Sequence, residues 1–487
     1  MAVWLLVSLG LSLAAAGATL AIGDRRPSGW ISVAAAVGAF AAVLVAVFAY
    51  HASRGVHALG GAFFVDGLSG VFLVAVAFVY GVVAIYSAGY LRPGIGHIRL
   101  RRIYWPLLNL FGFALLATPI VANLGVLWVA VELTTVVSAL LVTSEGSDPS
   151  LEAGWKYIVI GSAGLAVGLL GIVLMYGAGV PTLGDHYTPT YTILAGAAPH
   201  LNPALVHAGF GFVIVGFGTK VGLVPMHAWL PDAHSEGPSP ISAMLSGALL
   251  AAALYAVLRL GAIAQLAVGA SYVHVLLLVF GALSLVLAGF FALRQSNYKR
   301  LLAYSSIEHM GIVSLGLGIG GPIAAYGAFF HVLVHAAGKT LAFFGAGGLL
   351  SRYESREVDD VRGVIRGAPF TGVMVLLAAL AIAGLPPFGI FRSELLIVTG
   401  GFSQSSFALA GLLIVFANVA FVGLYQTFHR MVISGGDEAP RPRRREQPLM
   451  AAAMLASLVV VLVLGVWIPG PLDQLLHSAV AVFGGRT

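Results

Sequence analysis

Apolar runs long enough to cross the ~30 Å hydrocarbon core of a bilayer recur along the whole 487-residue chain, separated mostly by short polar punctuation. The pattern predicts about fourteen helices, near residues 2–22, 28–50, 65–90, 103–117, 119–143, 153–177, 203–222, 239–262, 272–293, 301–318, 323–350, 369–400, 403–432 and 448–468. Two of them carry breaks. The seventh contains Gly222-Leu223-Val224-Pro225 and the twelfth Gly384-Leu385-Pro386-Pro387-Phe388-Gly389. Proline removes a helical hydrogen bond, and a bilayer tolerates the freed groups only where protein or water satisfies them. Because five is odd, the helix five further on crosses in the opposite direction, so the spacing of the breaks points to inverted repeats. The expected fold is an all-α polytopic membrane protein of two inverted five-helix repeats, 103–262 and 272–432. Three helices over 1–102 precede them, and 433–487 supplies a basic loop and the last span.

Composition agrees with this picture. Hydrophobic residues make up 59% of the chain and charged residues 9%, too little polar surface for a soluble protein of this length. The net charge of +6 does not call for nucleic acid, because the basic residues follow the loops. Arg25 and Arg26; Arg92, Arg99, Arg101 and Arg102; Lys156; Arg294, Lys299 and Arg300; Arg352, Arg356, Arg362 and Arg366; and Arg430 with Arg441 to Arg445 fall in alternate loops. The positive-inside rule makes those loops cytoplasmic and places both termini outside, in an inner-membrane protein whose first helix is an uncleaved span. Two longer loops are expected, an outer one over 178–202 and a solvated cytoplasmic one over 434–447, the latter a possible contact for anionic lipid or a partner.

The charges inside the spans carry the chemistry. A charge at the bilayer centre costs roughly 2.5–3.5 kcal/mol on insertion scales, so such residues normally face a partner or a water-filled path. Only four lysines occur in the chain, and Lys220 and Lys339 lie in predicted helices, as do Glu132 and Glu394. Glu132 and Lys220 are expected to pair. Either the pair is a static bond between helices or its separation releases a proton. His331, His335 and Lys339 follow at intervals of four, each step turning only about 40°, so they form a narrow polar stripe suited to passing protons. Glu394 is the expected exit. Glu308 and His309 mark either a proton entrance or a local structural site.

Other chemistry is excluded or disfavoured. No cysteine is present, which removes disulfides and thiolate-held zinc or iron–sulfur clusters, so any electrons belong to other subunits. The segment His227 to His234 has no recognised metal-ligand spacing and is expected to be a loop closing the broken helix. No catalytic centre, cofactor or metal is expected.

Taken together, the segments 227–246, 299–311, 331–339 and 384–394 resemble the antiporter-like, proton-conducting subunits of complex I, Mrp antiporters and membrane-bound hydrogenases. The segment Ser305-Ser306-Ile307-Glu308-His309-Met310-Gly311 is most like the hydrogenase-4 component F type. The resemblance places the fifth-helix glutamate at Glu132, the seventh-helix lysine at Lys220, the eleventh-helix stripe at His331, His335 and Lys339, and the twelfth-helix group at Glu394. It implies partners: other membrane subunits of a redox complex and, through them, soluble electron-transfer subunits. Relatives in complex I usually carry a histidine or lysine on the eighth helix where this chain has Ser246 or Ala251, so either water bridges that gap or the chain of transfer is incomplete. A long lateral helix at the C-terminus is not expected. The expected function is proton translocation, with a sodium/proton antiporter subunit or a structural scaffold as the rival readings.

Overall fold

The computed structural model describes residues 1–49, 55–91, 101–434 and 447–484. Helices α1 (Ala2–Ile22) and α2 (Arg26–Leu44, extended by a π turn over Val45–Ala49) form an antiparallel pair. A small hairpin, β1 (Val56–Ala58) and β2 (Phe63–Val65), leads into α3 (Gly67–Tyr90), whose first turn is capped by Asp66. There follow α4 (Arg101–Ala117), α5 (Leu124–Val142), α6 (Asp148–Leu183), the short α7 (Tyr191–Ala197), α8 (Pro203–Val221) and α9 (Trp229–Glu236). Helices α10 (Ser239–Met244) and α11 (Leu250–Val268) are one rod joined by a π turn over Leu245–Leu249. The second half holds α12 (Ala270–Ala292), α13 (Tyr298–Ile319), α14 (Gly321–Tyr353), the single turn α15 (Val364–Gly367), α16 (Pro369–Ile382), α17 (Gly389–Ser403) and α18 (Phe407–Val432). Helices α19 (Pro448–Val466) and α20 (Gly470–Phe483) complete the chain described.

Among the described residues, 11 helices are long and apolar enough to cross a membrane. The protein is therefore an all-helical, multi-pass membrane protein. The rod α10–α11 and helix α14 are buried along their apolar spans, and α13 is almost wholly buried as well. Around them α1, α2, α6, α12, α18 and α19 keep less than half of their spans inside and turn apolar side chains such as Trp155, Val275, Phe290, Val415 and Val459 outward. In water such a surface would drive association; in lipid it costs nothing.

Glycine sets the closest helix crossings. On α6 and α8 a Cβ added at Gly216 would lie 2.2 Å from the backbone nitrogen of Gly168, so nothing larger fits there without parting the helices. Gly216→Val is expected to lower stability by about 1–3 kcal/mol or more through overpacking. The thermal midpoint of the detergent-purified chain is the check, and an unshifted midpoint would show that the crossing is looser than described.

Both predicted breaks are present and close alike. Gly222 and Gly384 end the first half-helices at positive φ, 82° and 69°. The amide of Leu223 bonds the carbonyl of Gly218 at 2.9 Å, and that of Leu385 bonds Leu380 at 3.2 Å. Met226 then bonds Leu223 and Phe388 bonds Leu385. At the first break the carbonyl of Thr219 accepts from Gly222 N at 3.2 Å and from Trp229 Nε1 at 2.7 Å, and Ser284 Oγ accepts from Val224 N at 2.9 Å.

Several expectations change. The segment after the first break is not a loop: from Trp229 onward it is helix α9, packed against α6 and α13 with Trp229 fully buried. Residues 178–202 are mostly helical, because α6 runs to Leu183 and α7 follows. Lys299, assigned to a basic loop, lies in the first turn of α13, buried, with its ammonium donating to the carbonyl of Gly237. Arg352 is likewise buried, in the last turn of α14. Helix α20, not expected, packs on α3 and α14 after the last span. Arg92, Arg99 and the run Arg441 to Arg445 lie outside the described residues.

Candidate functional site

Two clusters of ionisable groups inside the bundle share one construction. In the first, Lys220 at the end of α8 has no exposure. Its Nζ donates to Thr135 Oγ1 on α5 at 2.8 Å and to the hydroxyl of Tyr157 on α6. Tyr157 in turn donates to Ser138 Oγ at 2.7 Å, since the Ser138 proton goes to the carbonyl of Thr134. The ammonium also lies 4.2 Å from the centre of the Tyr157 ring and 5.6 Å from that of Trp229. Glu132, one helical turn before Thr135, accepts from Ser162 Oγ at 2.7 Å through one oxygen, while its other oxygen is buried without a partner.

The expected Glu132–Lys220 ion pair is thus not a direct contact. Among the described residues no carboxylate stands within 4 Å of the Lys220 ammonium; neutral hydroxyls hold it, and Glu132 lies farther off. This is a physically different state from a closed pair. The ammonium is fully buried and held by hydroxyl groups in place of a carboxylate.

In the second module, Lys339 on α14 is equally buried and donates to Ser305 Oγ on α13 at 2.7 Å and to the carbonyl of Leu302 at 3.1 Å. Glu308, one turn beyond Ser305, is buried with its Oε2 unpartnered. A lysine held by a hydroxyl, one turn from a glutamate with an open oxygen, therefore occurs twice.

Beyond Lys339 the stripe leads to a histidine cluster. The rings of His309 and His331 are 5.1 Å apart, those of His309 and His335 5.2 Å, and those of His331 and His335 6.3 Å. His309 Nδ1 and His331 Nε2 are 2.9 Å apart, and His331 Nδ1 is 2.9 Å from Ser393 Oγ on α17. Glu394 follows Ser393 and borders a cavity of about 350 Å³ between α16, α17 and α18, lined also by Gly384, Phe391 and Asn418. A Cβ at Gly384 would come within 2.3 Å of Glu394 Oε2. Gly384→Ala is accordingly expected to displace this carboxylate and to strain the turn by about 1 kcal/mol. Proton uptake by the assembled complex should fall in this variant and be unaffected by Gly411→Ala, whose added Cβ meets nothing within 4 Å. Equal rates in both would show that Glu394 tolerates the shift.

Between the modules stands a residue that the sequence reading did not select. His234 on α9 is fully buried; its Nδ1 bonds the carbonyl of Leu230 at 2.9 Å and its Nε2 has no partner. Its ring is 6.1 Å from Trp229, which stacks at 4.4 Å on Tyr157, and 5.7 Å from Phe343, one turn past Lys339. Lys339 and His335 lie within electrostatic reach of it. The only available signal was its place in a break-proximal segment, where the lack of ligand spacing directed attention away. Ser246, at the expected gap, bonds Ser306 on α13 at 2.7 Å between the hydroxyls.

A separate buried pair also went unselected. Arg259 on α11 makes a bidentate contact with Asp66, both bonds 2.7 Å, with Nε to the Tyr255 hydroxyl at 3.0 Å and a further bond to Ser69 Oγ at 2.9 Å.

Residues 121–420 match the NADH:quinone oxidoreductase/Mrp antiporter membrane family. The chain is 36% identical over 422 residues to a hydrogenase-4 component F homolog of Methylacidiphilum infernorum, covering 84% of this chain and 86% of the relative. It superimposes with a TM-score of 0.87 on a chain of the membrane-bound sulfane sulfur reductase, an archaeal respiratory membrane complex, at 25% identity over 99% of this chain and 98% of the other. A chain of respiratory complex I from Thermus thermophilus gives a TM-score of 0.75 at 25% identity, over 95% and 96% of the two chains. The chain therefore belongs to the NADH:quinone oxidoreductase/Mrp antiporter family of membrane proteins.

Proposed function

We propose that the chain is the proton-translocating membrane subunit of a redox-driven complex of the hydrogenase-4 or NADH:quinone oxidoreductase type. The observation that carries this reading is the pair of fully buried lysines, Lys220 and Lys339, each held by a hydroxyl beside a glutamate with an open oxygen. Protons pass from Lys220 through buried water and His234 to Lys339, then by His335 and His331 to Glu394 and the cavity it borders, with Glu308 supplying the second lysine's counter-charge. His234 takes the place that an eighth-helix histidine or lysine fills in complex I relatives, since Ser246 can relay a proton but not hold one.

The driving step lies in partner subunits. Electron transfer there shifts charge toward the Glu132–Lys220 region and changes how strongly Glu132 compensates Lys220. Moving one charge against about 100 mV costs about 2.3 kcal/mol, which equals a shift of under about two pK units in the lysine. A small displacement of a long-range carboxylate is enough.

The eleven long apolar helices together with α4, α13 and the paired halves α16 and α17 make fourteen crossings. The like closure of the two breaks supports inverted repeats over 103–262 and 272–432, after a three-helix segment 1–102 and before the last span in 433–487. Membrane subunits of the complex pack around this fold in the cell's inner membrane, with both termini outside, and soluble subunits carry the electrons.

The test is proton uptake by vesicles holding the intact purified complex, driven by its electron donor in sodium-free medium. Uptake without sodium supports the relay. A strict sodium requirement would instead establish cation exchange. In the same assay His234→Phe, which keeps a ring in the packing against Trp229 and Phe343, is expected to lower this subunit's proton transfer by on the order of 100-fold. Full uptake in that variant would place the path elsewhere.

A further inference from the structure

The histidine cluster has a proton order that can be followed bond by bond. Ser393 Oγ donates to the carbonyl of Ile390 at 2.7 Å, so toward His331 it accepts, and His331 Nδ1 carries the proton. His331 Nε2 then holds a lone pair and accepts from His309 Nδ1. What remains is His309 Nε2, a buried lone pair with no donor facing it. Both nitrogens of His335 are buried without partners as well. One ligand atom from each of His309, His331 and Glu394 lies within 4.8 Å of the other two. Within the triad the open nitrogen is His309 Nε2; the His331 Nε2 lone pair is held by His309 Nδ1–H, a bond that a cation bound by both imidazoles and the carboxylate would replace.

We propose that His309, His331 and Glu394 form a binding site for a divalent transition cation of the zinc class. Imidazole nitrogen and carboxylate oxygen bind zinc at about 2.0–2.2 Å in a tetrahedron, which sets neighbouring ligand atoms about 3.3 Å apart. The Glu394 side chain borders the cavity of about 350 Å³, and zinc binding requires it to move inward to close the present spread. Ser393 supplies the outer hydrogen bond that orients His331, a usual support for a ligating histidine. His335 stands beside the triad as a fourth donor. Magnesium and calcium are excluded as the preferred ions, because they select oxygen-rich sites.

A bound cation takes ring nitrogens that the proposed relay uses, so zinc also arrests proton transfer. That consequence rests on the function proposed above; binding itself does not.

The test uses the full chain purified in detergent, stripped with a chelator and titrated with zinc chloride against a chromogenic zinc indicator, with the zinc-edge X-ray absorption spectrum recorded at saturation. The expected result is a single zinc per chain with imidazole scattering, and affinity weakened by at least about tenfold in Glu394→Gln and in His309→Ala. Zinc-free melting curves of the variants verify folding, and Glu394→Gln preserves side-chain shape. Absence of stoichiometric binding, or wild-type affinity in both variants, would overturn the site. Zinc that binds at the cluster yet leaves proton uptake by the intact complex unchanged would preserve the site and count against a relay through His331.

Discussion

Lys220→Met is expected to reduce proton transfer through this subunit by on the order of 100-fold or more while the complex still assembles. Methionine matches the unbranched stem of lysine but holds no proton. The stability side follows from the partners. Among the described residues no carboxylate stands within 4 Å of the ammonium, so its removal strands no closely paired buried anion. Thr135 and Tyr157 retain other partners, in the carbonyl of Val131 and in Ser138. Replacing a desolvated charge by an apolar group in such a place is often neutral or stabilising. A scaffold account predicts the reverse, with assembly lost and transport falling only in proportion. Proton uptake in vesicles, normalised to assembled complex, separates them.

Arg259→Met is expected to do the opposite, costing about 3–5 kcal/mol of stability by leaving Asp66 as an unpaired buried charge. Arg259 is 2% exposed, Asp66 4%. The guanidinium is also bound to Tyr255 and Ser69 and stacks 4.3 Å from the Tyr191 ring, so it ties α11 to the start of α3 and to α7. The double variant Asp66→Asn with Arg259→Met removes both charges and should recover much of the loss. Thermal melting of the detergent-purified chains reads both effects. A harmless single variant would show that water reaches Asp66.

These two residues also mark what the amino-acid order discloses and what it conceals. A lysine within an apolar run announces itself, because hydrocarbon penalises it wherever the helix packs, and proline breaks do the same through lost backbone bonds. The i, i+4, i+8 stripe on α14 was legible for a geometric reason, since helical periodicity alone sets its face. Contacts between distant helices were not. Arg259 and Asp66 meet across 193 residues, and nothing local in either segment names the other. The direct Glu132–Lys220 pair failed similarly, since opposite charge made it plausible while Thr135 and Tyr157, ordinary in sequence, take the ammonium. His234 was obscured because proline and glycine around it suggested a loop, whereas α9 is a short helix held by Trp229 at the break. Helix α20 starts at Gly470, just after Pro469, and covers α3, a role visible only once α3 is placed.

The central claim is that the two lysine modules lie on one path. Its most direct test is the proton-to-electron ratio of the intact complex in vesicles for wild type, Lys220→Met, Lys339→Met and the double variant, at matched electron flux. A single path predicts that each lysine alone removes this subunit's whole share and that the double variant loses no more, a strongly non-additive cycle. Partial losses in the single variants that add in the double would show two independent channels and contradict the account.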